Sequence, residues 1–244
     1  MATLNFPTSA WDKEGEKRYK VGTQNGLVFV WNPNKATPGY GAGVVWNGLT
    51  EVQESPEGAE ATAIYADNRK YLNLRSAEDF KGSITAYDAP DEFLPCMGIE
   101  TVNGVNLTGQ AHQKFCFYYR TEIGTDLAAA EADSNNYEIH VVYNATVGAV
   151  EQTRSTINED VEPTEFSWEF ETVPVQVSGA NDTAHIIIGP DEITQDLLDA
   201  MFGEIGSNGA WTAPTAPLMP EDIMVLTVSG SEEDPEDPEE PVGP

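Results

Sequence analysis

The chain has 244 residues, with 12 Lys and Arg against 41 Asp and Glu and a formal charge of −29. Residues 1–120 hold 14 acids and 11 bases, a net of −3, whereas residues 121–244 hold 27 acids and a single base, Arg154, a net of −26. That asymmetry argues against nucleic-acid binding by phosphate neutralisation, which needs clustered Lys and Arg to displace counterions, and it disfavours an anionic membrane surface as partner.

In chain order, short strands are expected at Arg18–Val21, Gly26–Trp31, Gly43–Trp46, Thr50–Glu54, Ala59–Tyr65 and Tyr71–Arg75. Further strands are expected at Gly82–Tyr87, Lys114–Arg120, Tyr137–Tyr143, Ala149–Ser155, Glu165–Val177, Ala184–Ile188 and Ile223–Val228. Asn25-Gly26, Asn47-Gly48 and Asn103-Gly104 supply residues that tolerate positive φ, as tight turns require. Many short strands at this spacing predict a β-sandwich or barrel rather than a parallel α/β sheet. Pro90–Phe93 reads as the start of a short helix, and Leu127–Ala132 as a brief helical turn or part of an acidic loop.

One helix is predicted between Pro190 and Gly203. Pro190 suits a first turn, Asp191 and Glu192 complement the N-terminal dipole, and Gly203 can end the helix. Ile193, Leu197 and Met201 repeat at i+4, with Leu198 and Phe202 beside them, giving an apolar stripe to pack on a sheet. The last stretch, Ser231–Pro244 (SEEDPEDPEEPVGP), holds seven acids and four prolines, so a disordered tail over 231–244 is expected after a β domain over 1–230.

The remaining composition sets bounds. A hydrophobic content of 40% suffices for a core, and no stretch reaches the ~20 apolar residues that span a bilayer. The opening MATLNFPTSAW has neither a basic n-region nor an apolar h-region, so a soluble chain made inside the cell is expected. Cys96 and Cys116 lack CxxC spacing and read as a buried reduced pair, with a disulfide or metal role as the sharper alternative. The sequons at Asn106, Asn144 and Asn181 read as chance matches.

Catalytic signatures are missing. Gly39, Gly41 and Gly43 alternate, but Val44 stands where GxGxxG needs its last glycine. His112, His140 and His185 are far apart in sequence with no HExxH, and His140 reads as a strand-face histidine. No catalytic, cofactor-binding or metal-binding residue is assigned. With 41 carboxylates, a glycosidase-like pair would arise by accident and carries no information.

Glu165–Thr172 (EFSWEFET) is the most informative segment. As a strand it sets Phe166, Trp168 and Phe170 on one face and Glu165, Ser167, Glu169 and Glu171 on the other. The aromatic face should bury in a core. The opposite row holds no cation, and reads either as a plain solvated surface or as the lining of a water-filled passage that must not hold an anionic polymer. Lys114–Arg120 (KFCFYYR) sets Phe115, Phe117 and Tyr119 on one face and Lys114, Cys116, Tyr118 and Arg120 on the other. Core packing outweighs a single-stranded nucleic-acid platform here, because bases are too few.

Four blocks resemble the major tail tube protein of long-tailed, non-contractile bacteriophages: Val44–Phe93, Phe115–Asp126 (FCFYYRTEIGTD), Tyr137–Val147 (YEIHVVYNATV) and Glu165–Val175 (EFSWEFETVPV). The resemblance covers roughly residues 8–205 in order. It implies two packed antiparallel sheets flanked by a helix, assembled as hexameric rings that stack around a tape-measure protein into a tube. It further implies contact with tail-terminator and tail-tip proteins, residence in the virion tail after assembly in the host cytoplasm, and passage of DNA without specific binding during ejection. No catalytic residue and no cofactor come with it. Thr50–Ala77 and Thr121–Asn136 are candidates for the loop that reaches a neighbouring ring. An acidic bore would repel DNA and keep it mobile over about one Debye length, 8–10 Å, so Glu165, Ser167, Glu169 and Glu171 are the expected lumen residues.

Two other function classes compete. An acidic β-sandwich recognising carbohydrate or a host-surface component would expose an aromatic platform drawn from Trp31, Tyr40, Trp46 and Trp211. A glycosidase would need a deep cleft with two carboxylates.

Overall fold

The computed structural model describes residues 17–34, 39–58, 61–75, 78–126, 136–154, 156, 163–207 and 209–229. The N-terminal segment, the helical turn or acidic loop expected at 127–132 and the acidic tail expected at 231–244 lie outside the described residues. In chain order the strands begin β1 (Tyr19–Asn32), β2 (Gly39–Tyr40), β3 (Val44–Trp46), β4 (Leu49–Glu54), β5 (Glu57–Gly58) and β6 (Ala61–Ala66). They continue with β7 (Arg69–Arg75), β8 (Glu78–Asp79), β9 (Lys81–Ala86), β10 (Ile99–Val102), β11 (Val105–Thr108) and β12 (Phe115–Gly124). The last are β13 (Tyr137–Val147), β14 (Phe166–Thr172), β15 (His185–Ile188), β16 (Glu204–Ile205) and β17 (Trp211–Thr212).

One antiparallel sheet runs β2-β1-β12-β13-β14-β9-β4, with β3 added on β1 and β15 on β13. Two cores lie on opposite faces of β1, β12 and β13, the first shared with β9 and β14 of the same sheet and the second completed by Leu197, Met201 and Ile223. The first holds Val28, Trp46, Ile84, Phe93, Phe115, Phe117, Tyr119, Val142, Trp168 and Phe170. The second holds Leu27, Phe29, Cys116, Tyr118, Ile139, Val141, Tyr143, Leu197, Met201 and Ile223. β12 therefore buries both faces: Cys116, expected to be buried, and Tyr118, on the face opposite Phe115 and Phe117, are as inaccessible as those two rings.

Two packings from one strand need a change of phase, and Asn144 makes it. In a regular strand Ala145 and Val147 would share a face with Ile139, Val141 and Tyr143. They lie instead in the first core, while Tyr143 stays in the second. The pairing of β12 with β13 records the extra residue: Phe115 faces Ala145, but Phe117 faces Val142. Asn144 sits at φ 46, a left-handed conformation that Asn tolerates better than most residues. Its side-chain oxygen accepts from Tyr40 Oη at 2.8 Å and Lys114 Nζ at 3.0 Å, and its amide donates to the Val173 carbonyl at 3.2 Å. Beyond this bulge β13 exchanges β15 for β14 as its neighbour.

Two helices flank the second core, where one was expected. The expected Pro190–Gly203 helix is divided: Pro190–Glu192 is a 3-10 turn, Ile193 is extended, and the α-helix spans Gln195–Phe202. Thr194 caps it by accepting from the Leu197 amide, so the helix begins at the cap rather than at the proline. Leu197 and Met201 are buried, and Ile193, Leu198 and Phe202 pack partly buried against the same core. The strand expected at Ile223–Val228 is part of a helix, Pro220–Ser229. Its β-branched apolar run resembles a strand, but Pro220, Glu221 and Asp222 form a favourable first turn and Ile223 buries beside Tyr143.

Other expectations shift. Asn25-Gly26 is no turn: Asn25 has φ 57 inside β1, where the pairing with β12 slips between Gln24 and Leu27. Asn103 (φ 52) and Gly104 (φ 79) do form a two-residue turn, and it joins β10 and β11, two strands beyond those expected. Residues 149–154 form no strand, and Val175 contributes only an isolated bridge to Thr183. The 3-10 helix Asp91–Met97 carries Phe93 and Cys96 into the first core.

Cys96 and Cys116 are buried free thiols belonging to different cores, and burial pushes both thiols up in pKa. The native protein will react with neither equivalent of a thiol reagent such as DTNB at pH 8 within minutes, and with two in denaturant. At the bulge, Asn144→Val is expected to cost about 2–4 kcal/mol and Asn144→Gly at least about 1 kcal/mol less, because only the former forces a β-branched residue to positive φ. Urea midpoints of the two variants check this ordering.

Candidate functional site

The pairing of β14 with β9 decides which side chains face out. Phe166 lies opposite Ala86, Trp168 opposite Ile84 and Phe170 opposite Gly82, while Ser167, Glu169 and Glu171 lie opposite Thr85, Ser83 and Lys81. Trp168 and Phe170 are buried and Phe166 partly so. Trp168 meets Trp46 edge-on at 5.3 Å, and its indole nitrogen donates to Met97 Sδ at 2.9 Å. Gly82 gives Phe170 its room: a Cβ there would lie 2.7 Å from Phe170 Cζ and 2.3 Å from the Gln53 carbonyl oxygen.

On the outer side Glu165, Ser167, Glu169 and Glu171 are all exposed. β4 extends the surface, setting Glu51 opposite Thr85 and Gln53 opposite Ser83. Thr85 Oγ1 donates to Ser167 Oγ at 3.3 Å. The row in β14 contains no cation, but strand pairing places one beside it: Lys81 Nζ lies 3.0 Å from Glu171 and 3.2 Å from Glu57. The hydrogen bond to Glu171, then that to Glu57, holds the Lys81 ammonium protonated above its ordinary range. Exposed pairs of this kind contribute little stability. The result is a polar sheet surface on which Glu51, Glu57, Glu165, Glu169 and Glu171 are set against Lys81.

Elsewhere, hairpin β6–β7 turns on Asp67 (φ 52) and Asn68 (φ 60) and forms its own two-stranded sheet. It exposes Ile64, Tyr65, Tyr71, Leu72 and Leu74, with Tyr65 at 70% and Tyr71 at 62%. Within the expected Thr50–Ala77 loop the structure thus holds strands β4 to β7. Of the expected Thr121–Asn136 loop, the first four residues belong to β12 and residues 127–135 lie outside the described residues. The aromatic platform does not assemble: Trp46 is core, Trp211 binds the Phe202 carbonyl beside the helix, and Trp31 packs edge-on against Tyr40 with Lys114 Nζ 4.0 Å above it.

One constellation is invisible in the sequence. His140 and His185 are 45 residues apart, yet antiparallel pairing of β13 with β15 sets His185 opposite Val142, on the same face as His140. Their nitrogens, His140 Nδ1 and His185 Nε2, are 3.2 Å apart. Glu54, at the end of β4, places Oε1 3.3 Å from His140 Nδ1 and 3.9 Å from His185 Nε2. Tyr119 Oη donates to the same carboxylate oxygen at 2.6 Å. Rings stack on both sides, Tyr119 on His140 at 4.5 Å and Phe80 on His185 at 4.4 Å. The hydrogen bond from His140, opposed by burial and aided by Tyr119, holds the Glu54 carboxyl down at about 2. Burial holds His185 down at about 4, against the pull of Glu54. At neutral pH the cluster therefore presents an ionised carboxylate and a neutral His185 imidazole. The residue types carry the signal, but only the register of three strands brings them together.

No family model matches the chain, and no curated protein does. Among solved structures, one similar chain is that of the SPP1 tail tube, a hybrid structure by solid-state NMR and cryo EM; the likeness covers 80% of this chain and 97% of that one at 10% identity, with a TM-score of 0.36.

Proposed function

We propose that the chain is a structural subunit of a phage tail tube, which polymerises as stacked rings, hexameric as in the family its sequence blocks resemble, and has no enzyme activity. The observation that carries this reading is the two-sidedness of β14, β9 and β4. One side is an aromatic core around Trp168, and the other is an exposed acidic surface whose one ion-paired lysine is shared between two glutamates. A conduit for DNA must not grip it, since each neutralised phosphate releases counterions and holds the polymer in place. On this reading Glu165, Ser167, Glu169 and Glu171 face the bore. β4 is paired on one side only, with β9, among the described strands. Such an edge is a template for a neighbouring chain, and ring closure removes it. The exposed apolar side chains of hairpin β6–β7 supply a second contact surface. Tape-measure, tail-terminator and tail-tip proteins are the further partners, and the virion tail the location. The alternative, a carbohydrate-binding module, would need a shared aromatic platform, and Trp31, Tyr40, Trp46 and Trp211 do not form one among the described residues.

Electron microscopy of the purified full chain at rising concentration tests the assembly. Stacked rings are expected, and a strict monomer at millimolar concentration in the presence of tape-measure protein overturns it. Tyr65→Asp with Tyr71→Asp should keep the circular dichroism spectrum and lose the rings. Tubes of Glu169→Lys with Glu171→Lys should retain double-stranded DNA at 50 mM salt and release it by about 200 mM, whereas wild-type tubes retain none at either. A reconstruction that buries the outer face of β14 in a dry subunit contact overturns the bore assignment.

A further inference from the structure

We infer that Glu54, His140 and His185 form a mononuclear site for a late first-row divalent metal ion, and that zinc is the ion its geometry fits. The three donors come from three strands, β4, β13 and β15. Their separations of 3.2, 3.3 and 3.9 Å describe a triangle. The point equidistant from the three atoms lies about 2.0 Å from each, which is the bond length of zinc to imidazole nitrogen and carboxylate oxygen. Displacing the ion slightly from that plane lengthens the bonds towards about 2.1 Å and opens a fourth, tetrahedral position for water.

Hydrogen bonding alone leaves this cluster incomplete. If His140 carries its proton on Nδ1, one hydrogen faces both Glu54 and His185, and Nε2 is left as a bare acceptor. Among the described residues Nε2 of His140, a residue only 5% exposed, is a buried nitrogen without a hydrogen-bond partner. The carboxylate oxygen Oε2 of Glu138 lies 3.9 Å from that nitrogen. A proton on Nε2 would point towards this carboxylate and leave the Nδ1 lone pair aimed at the centre of the triangle. Metal-ligating histidines generally hold their second ring nitrogen towards a carboxylate in this way. Lys20 Nζ, 2.6 Å from the same Glu138 oxygen, anchors that outer group. Tyr119 in turn orients the Glu54 oxygen, and the stacked rings of Tyr119 and Phe80 fix both imidazole planes.

Two imidazoles and one carboxylate suit zinc and its transition-metal neighbours better than calcium or magnesium, which take oxygen-rich shells. Access is open from the Glu54 side, where the side chain is 36% exposed while those of His185 and His140 are 11% and 6%. Bound metal would tie the edge strand β4 to β13 and β15, fastening the end of the sheet that folds back over the first core. This inference does not depend on the tube assignment.

The test uses the full chain, stripped with EDTA and titrated with zinc chloride in excess magnesium. One zinc per chain by elemental analysis is expected, with a thermal midpoint that rises on loading and cobalt giving the intense visible bands of tetrahedral coordination. His185→Gln and Glu54→Gln should each weaken zinc binding by more than about 100-fold, and Glu138→Gln by about 10–100-fold, the loss typical of an outer-sphere partner. His140 is too buried to serve as a clean variant, so the two more accessible ligands carry the test, with circular dichroism confirming their fold. Failure of wild type to retain zinc at micromolar concentration overturns the site, as does stoichiometric binding that survives both ligand substitutions.

Discussion

The architecture depends on a single extra residue in β13. A strand of strict period two can serve one core on each face, but it cannot change which residues serve which core part-way along. The bulge at Asn144 makes that change, and three side-chain hydrogen bonds from or to Tyr40, Lys114 and Val173 hold it in place. Before it, β13 gives Ile139, Val141 and Tyr143 to the helices; after it, Ala145 and Val147 join the aromatic core. The same residue is where β15 gives way to β14 as neighbour, so the folded-back half of the sheet is hung from this point. Its sequon is occupied by structure, since the side-chain amide is already bonded to a backbone carbonyl.

From that hinge follows the opposition of surfaces in β14, β9 and β4. Trp46, Phe93, Phe115, Phe117, Trp168 and Phe170 form a contiguous set of ring contacts, including Trp46 to Phe93 at 4.5 Å and Phe93 to Phe115 at 5.1 Å. Aromatic pairs of this kind add to the burial of their large areas, and they supply the driving force that keeps the acidic row outside. Carboxylates on the exposed side need no partners, because water solvates them. The sheet can thus carry strong negative charge on one face without weakening its core.

Much was legible in particular residues. The alternation in Glu165–Thr172 separates rings from acids whatever the rest of the chain does, and Asn103-Gly104 marks a tight turn because both residues accept positive φ. Other elements were not. The second helix hides in Ile223–Val228, whose β-branched run has strand character until Pro220 and the acidic first turn are weighed against it. The face of Lys114–Arg120 that carries Cys116 and Tyr118 ends in a base on either side, and nothing in that segment reveals that Leu197 and Met201 share a core with its middle. His140 read as a solitary strand histidine, and Lys81 gave no sign of standing beside Glu171.

The asymmetry of charge, the dominance of short strands, the aromatic-against-acidic division of β14 and the poverty in cations are properties of local sequence, set by side-chain type and period. Tertiary structure alone decided which strands became neighbours. Register brought Lys81 to the acidic row, the Asn144 bulge divided β13 between two cores, and three strands distant in sequence carried Glu54, His140 and His185 to one point. The physical reason is that alternation specifies only which face a residue occupies, whereas contact across strands depends on register. That register is selected by the packing of the whole core.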